Sequence, residues 1–273
     1  MSQAQHAILL VAFGTRRHEA LPAYQAVEAA FRRAFPAHRL VWAYTSRFIR
    51  SKLAEQGAPV LSVAEALAEC AAGGIRRIRV QSLHVVAGEE FSYLERVVLT
   101  HALRHPGRFD AIAVGRPLME SGADLDAVLE AVCAAFPDDR APDEAVVLMG
   151  HGHAHGRGDL VFRALAAGLR ERDPLVFFAS VEGDHPFSAV LEALKNSPVR
   201  RVWLQPFMLV AGEHAVSDLT GDNDASWASQ LAAAGFEVRA TLRGLGELPG
   251  VQAVFVRHAE QARENITDLK DGD

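Results

Sequence analysis

One segment of this chain occurs twice, and that constrains the fold more than any other feature. Residues 75–90 (Ile-Arg-Arg-Ile-Arg-Val-Gln-Ser-Leu-His-Val-Val-Ala-Gly-Glu-Glu) align without a gap on residues 199–214 (Val-Arg-Arg-Val-Trp-Leu-Gln-Pro-Phe-Met-Leu-Val-Ala-Gly-Glu-His). Arg76, Arg77, Gln81, Val86, Ala87, Gly88 and Glu89 return as Arg200, Arg201, Gln205, Val210, Ala211, Gly212 and Glu213, and then Glu90 is answered by His214. Residues 7–14 match 145–152 in pattern, with Phe13 answered by His151. A chain of 273 residues can hold one large α/β unit or two domains of about 130 residues each. A duplicated scaffold offering a carboxylate from one copy and an imidazole from the other points to a site built from both.

Apolar runs of strand length fall at 7–13, 40–45, 78–83 and 111–114, and again at 145–149, 175–180, 201–205 and 236–240. They are nearly continuous in apolar residues, as expected of strands covered on both faces. Helical patterns lie between and after them, at 20–35, 62–72, 90–103, 125–136, 160–170, 186–195, 225–234 and 251–261. Strict alternation predicts an α/β fold of parallel sheets with right-handed crossovers. The polar, proline-bounded stretch 137–142 sets the join. It divides the chain into an N-terminal α/β half, 1–137, and a C-terminal α/β half, 143–273. The sequence leaves the strand order open.

Composition excludes several function classes. The net charge of −6 gives no basic face for nucleic acid, and no polybasic segment suggests a membrane surface. No stretch reaches the length of a membrane span. The start lacks a positively charged signal region, and the apolar run at 7–13 is short for a signal core. Cys70 and Cys133 sit in Ala-rich helical stretches with no ligand spacing, which reads as two small buried hydrophobes. A reduced, cytoplasmic protein is expected. There is no dinucleotide fingerprint, P-loop or nucleophile elbow. The acidic stretch 218–224 lacks EF-hand spacing and reads as an exposed loop.

The residues that can carry chemistry fall after strands, where open α/β sheets bind ligands. His151 ends a buried strand between Gly150 and Gly152, which permit a sharp turn and close approach. Neutral imidazole suits late first-row divalent metals and accepts protons near neutral pH. His153 and His155 follow in the same turn, where a solvated His-rich loop is the alternative. Glu182 follows the run at 175–180, with helix N-terminal acid as the competing role. His214 gains weight from its repeat partner, the ionisable Glu90. Two imidazoles and one carboxylate make a mixed site with exchangeable positions, suited to a metal that is passed on. His84 replaces Met208 within an apolar strand and reads as a hydrogen-bonded core histidine.

These segments together resemble the anaerobic sirohydrochlorin cobaltochelatases of the class II tetrapyrrole chelatases. The resemblance rests on Val11-Ala-Phe-Gly-Thr15, Tyr44-Thr-Ser46, Gln81-Ser-Leu-His84, Gly88-Glu-Glu90, Met149-Gly-His-Gly152, Ser180-Val-Glu182, Leu209-Val-Ala-Gly-Glu-His214 and Gly244-Leu-Gly-Glu247. It implies two flavodoxin-like halves with a tetrapyrrole cleft between them. It implies His151 as proton acceptor and metal contact, Glu182 and His214 as further metal ligands, and Glu90 as the functional glutamate of the first half. The implied reaction inserts Co2+ into sirohydrochlorin, early in anaerobic cobalamin synthesis. The metal, Co2+ or alternatively Fe2+ for sirohaem, is a substrate, and no organic cofactor is required. The partners are then a sirohydrochlorin-type tetrapyrrole and a divalent metal, with a homo-oligomer left open. Arg16, Arg17, Arg47 and Arg50 are candidates to meet the ring carboxylates. A non-catalytic metal or tetrapyrrole carrier, and a hydrolase with a resident Zn2+, are the readings from other classes.

Overall fold

In a computed structural model of the chain, residues 5–152 and 158–262 are described, apart from the His214 side chain. His153 and His155 lie outside the described residues. The strands β1 (His6–Ala12), β2 (Arg39–Tyr44), β3 (Arg77–Ser82) and β4 (Ala111–Gly115) form a parallel sheet in the order β2-β1-β3-β4. The strands β5 (Ala145–Gly150), β6 (Val176–Ser180), β7 (Arg201–Pro206) and β8 (Glu237–Ala240) form a second parallel sheet in the order β6-β5-β7-β8. Every residue of β5 and β6 is buried, and so is every residue of β1 after His6. Helices cover both faces of each sheet, which is why these strands read as unbroken apolar runs.

The helices are α1 (Leu21–Ala34), α2 (Arg47–Glu55), α3 (Val63–Ala72), α4 (Glu89–Arg104), α5 (Gly122–Cys133), α6 (Gly158–Arg172), α7 (Phe187–Lys195), α8 (Glu213–Thr220), α9 (Trp227–Ala233) and α10 (Pro249–Gln261). Side-chain caps set several of their starts. Ser62 and Glu65 form a reciprocal capping box on α3, and Ser121 and Asp124 do the same on α5. The second box moves the start of α5 three residues ahead of the apolar pattern at 125–136. Periodicity missed α2 and α8. None of α2 is fully buried, so it has little apolar stripe to detect. The segment 218–224, expected as a loop, begins as the last turn of α8.

The repeat holds at the level of hydrogen-bond register. Ala7 pairs with Ile78 and Leu10 with Gln81, as Ala145 pairs with Val202 and Leu148 with Gln205. Beyond the strands the Leu83 N–H donates to Val11 O, and the Phe207 N–H donates to Met149 O. Leu118 donates to His84 O as Leu245 donates to Met208 O. The residue differs at half of these positions, as at Val11 and Met149 or Leu83 and Phe207, and the backbone bonds remain.

The chain divides into two compact units that are not contiguous in sequence. The first draws on the chain up to Arg16, on Gln25–Glu120 and on the chain from Gln252; the second is Arg17–Tyr24 with Ser121–Val251. This differs from the contiguous halves 1–137 and 143–273 read from the sequence. The reason is where two helices pack. In the second unit α5 lies against α6, where a Cβ on Gly168 would stand 2.6 Å from Leu129 Cδ1. In the first, His258 of α10 is buried with Nδ1 3.3 Å from Arg116 O, and Gln261 accepts from Arg116 at 3.2 Å. Helix periodicity shows which face is apolar and carries no record of which sheet that face covers.

Candidate functional site

In each sheet the chain leaves the first strand toward one neighbour and later returns on its other side. The C-terminal ends of β5 and β7, and of β1 and β3, are therefore the points where the connections diverge and open a crevice. His151 is the first residue after β5, and Glu182 is the second after β6. The two continue the ladder past the strands: Val181 donates to Gly150 O at 3.1 Å and Glu182 to His151 O at 2.9 Å. Gly152 has φ +81°, and a Cβ there would lie 1.8 Å from Glu182 O. Only glycine permits this approach. The Ser180 hydroxyl donates to the same Glu182 oxygen at 2.6 Å and fixes the turn.

Both side chains are exposed. His151 Nδ1 lies 3.4 Å from Gly152 O. With its proton on Nδ1 the ring keeps the Nε2 lone pair for a metal or a proton. The third expected ligand arrives from β7. The loop after Pro206 runs to Gly212, which caps α8, and His214 is the second residue of that helix. Two of the three expected ligands thus stand at the paired ends of β5 and β6, and the backbone of the third lies at the start of the helix that follows β7, the other neighbour of β5. Among the described residues no group of three or more His, Cys, Asp or Glu side chains stands ready to hold a metal; that set lacks the imidazole of His214.

The first unit repeats this geometry with other side chains. Thr45 donates to Ala12 O at 2.9 Å and Ser46 to Phe13 O at 3.1 Å, the counterparts of the Val181 and Glu182 bonds. Phe13 therefore stands where His151 stands, and Ser46 where Glu182 stands. Gly14, with φ +112°, matches Gly152 and packs against the Tyr44 ring, 2.7 Å from where a Cβ would be. Glu90 is half-buried in the first turn of α4, where the helix dipole favours a carboxylate, and it matches His214 by position. Sequence reading missed the equivalence of Ser46 and Glu182. The signal for it is the shared β1–β2 and β5–β6 register, which no residue identity announces.

His84 lies just past β3, its Nδ1 2.9 Å from Ser82 Oγ, while its buried Nε2 has no protein partner. Burial pushes its pKa down to about 4, so the ring is neutral. The expected core histidine is thus half satisfied. Burial also raises the Cys70 thiol to about 11 and pushes Cys133 upward, which removes both as ready nucleophiles. No helix among the described residues is long and apolar enough to cross a membrane.

A family model described as Cobalt chelatase (CbiK) matches residues 6–264. The chain is 34% identical over 261 residues to the sirohydrochlorin cobaltochelatase CbiKC of Nitratidesulfovibrio vulgaris, covering 96% of this chain and 92% of that protein. It is 33% identical over 258 residues to the sirohydrochlorin cobaltochelatase of Salmonella typhimurium, covering 94% and 96%. Among solved structures it resembles SirB from Bacillus subtilis with Fe3+, at a TM-score of 0.66 and 16% identity over 98% of this chain and 99% of that one. At that identity the likeness speaks for the fold alone.

Proposed function

This chain belongs to the cobalt chelatase (CbiK) family, and from that premise we propose that it inserts Co2+ into sirohydrochlorin, with His151 as proton acceptor and metal contact. The relatives at 34% and 33% identity carry that activity in their names. The observation that carries the site assignment is the bonded pair of strand ends after β5 and β6, which sets exposed His151 and Glu182 side by side.

Insertion exchanges two pyrrole N–H protons for one divalent cation, so the protein must receive two protons and hold a partly dehydrated metal. The Nε2 lone pair of His151 takes the first proton once the metal has moved from it to the ring. Glu182 and His214 complete a loose N/O coordination sphere, which favours release over retention. Glu90 receives the second proton. Binding of the ring's peripheral groups supplies energy to bend the macrocycle and expose its nitrogen lone pairs. The metal enters as a substrate, and no step calls on an organic cofactor.

The test is anaerobic metallation of sirohydrochlorin with Co2+ and Fe2+ in parallel. Multiple turnovers with Co2+, lost in His151→Ala, are expected. Faster turnover with Fe2+ would reassign the metal. One equivalent of bound metal with no metallated product would replace the enzyme by a carrier.

A further inference from the structure

We propose that the strand ends of the first sheet form a ring-holding surface, on which Phe13 and Phe48 stack against the tetrapyrrole and Arg16 meets one of its carboxylates. This rests on the chelatase reading and adds positioning residues to it. Of the 14 phenylalanines in the chain, only Phe13 and Phe48 are exposed, at 49% and 60%. Leaving large aromatic side chains in water forgoes the burial that stabilises the other twelve, and adjacent exposed aromatics mark ligand surfaces.

These two side chains start from one locus. Ser46, the cap of α2, donates its N–H to Phe13 O at 3.1 Å, and Phe48 is the second residue of that helix. Arg16 lies three residues after Phe13, with its guanidinium 5.6 Å from the centre of the Phe48 ring. Arg47, exposed at the first position of α2, adds positive charge to the same end, whereas the Arg50 guanidinium is paired with Glu65 at 3.7 Å. The occupant this chemistry selects is flat, conjugated and anionic at its rim. Such a ring stacks on phenyl faces and pairs its carboxylates with guanidinium. The repeat sharpens the assignment. Phe13 occupies the position that carries His151 in the second copy, and a phenyl ring has no lone pair for a metal. This end of the molecule therefore serves the ring, and the equivalent end of the other copy serves the metal.

The experiment is an anaerobic absorbance titration of metal-free sirohydrochlorin with the full chain, run beside a Co2+ titration without the ring. Phe13→Ala and Phe48→Ala are each expected to raise the ring Kd about fivefold to tenfold, and Phe13→Tyr to stay within about twofold of wild type. Arg16→Gln is expected to weaken ring binding by about threefold or more. Co2+ affinity is expected to stay at the wild-type value in all four. Ring binding by both alanine variants within about twofold of wild type, with wild-type metallation intact, overturns this proposal and leaves the chelatase reading standing. Parallel loss of ring and Co2+ affinity also overturns it, since that is the mark of general damage. A wild type that neither binds nor metallates the ring overturns both.

Discussion

The two copies of the repeat share a backbone and differ in what stands on it. After β1 and β2 come Phe13 and Ser46; after β5 and β6 come His151 and Glu182, held by the same two N–H to carbonyl bonds. At the start of the helix after the third strand, Glu90 faces His214 across the alignment. The fold fixes three positions per copy and leaves the chemistry at each free. The proposed metal ligands all stand in one copy, while the other keeps a phenyl ring, a hydroxyl and a single carboxylate at the same positions. On the proposed assignment, catalytic capability would be a property of side chains placed on strand ends, which shared topology alone does not reveal.

Five substitutions test how deep that asymmetry runs. His151→Ala has the largest expected effect, a fall of about 10²–10⁴-fold in metallation rate, the usual contribution of a positioned proton acceptor; the check is steady-state turnover on sirohydrochlorin. Glu182→Gln is next, with at least about tenfold weaker Co2+ binding. Its counterpart Ser46→Ala removes a cap bond to the Ile49 N–H, costs about 1 kcal/mol of stability and keeps turnover. Equal losses of Co2+ affinity from the two would abolish the contrast. Gly152→Ala meets the backbone oxygen of Glu182 at φ +81°, whereas Gly14→Ala at φ +112° meets the movable Tyr44 ring. The first is expected to cost more than about 2 kcal/mol in denaturant unfolding and the second less.

A last contrast between the copies concerns acid stability. His84 has a folded pKa of about 4 against 6.5 ordinarily, so the native state favours the neutral ring. Its contribution is complete above pH 6.5 and drains away as pH falls toward about 4. Replacing it by the residue of the other copy, His84→Met, is expected to flatten the unfolding free energy over that range by up to about 3 kcal/mol. Identical pH profiles for wild type and variant would sink this.

Much of the architecture was legible because the repeat is visible by eye and the buried strands are continuous in apolar residues. His151 was legible through its flanking glycines, and Gly152 does hold the conformation that a side chain would strain. Ser46 was not, because its likeness to Glu182 exists only in pairing register. Phe13 was visible as the partner of His151, but its exposure was not, since an aromatic at the end of an apolar strand reads as core. The packing of α5 and α10 was illegible for a different reason. An amphipathic stripe states that a helix must be covered and is silent on the partner.

Those two helices bear on how divisible the chain is. A protease cut or an engineered break within 137–142 would leave an N-terminal piece ending in a helix that belongs to the other core, and a C-terminal piece ending likewise. Each fragment alone would expose the apolar seat of its missing helix and tend to aggregate. Produced together, each fragment would carry the helix that the other lacks, so co-production is expected to keep in solution what neither fragment keeps alone.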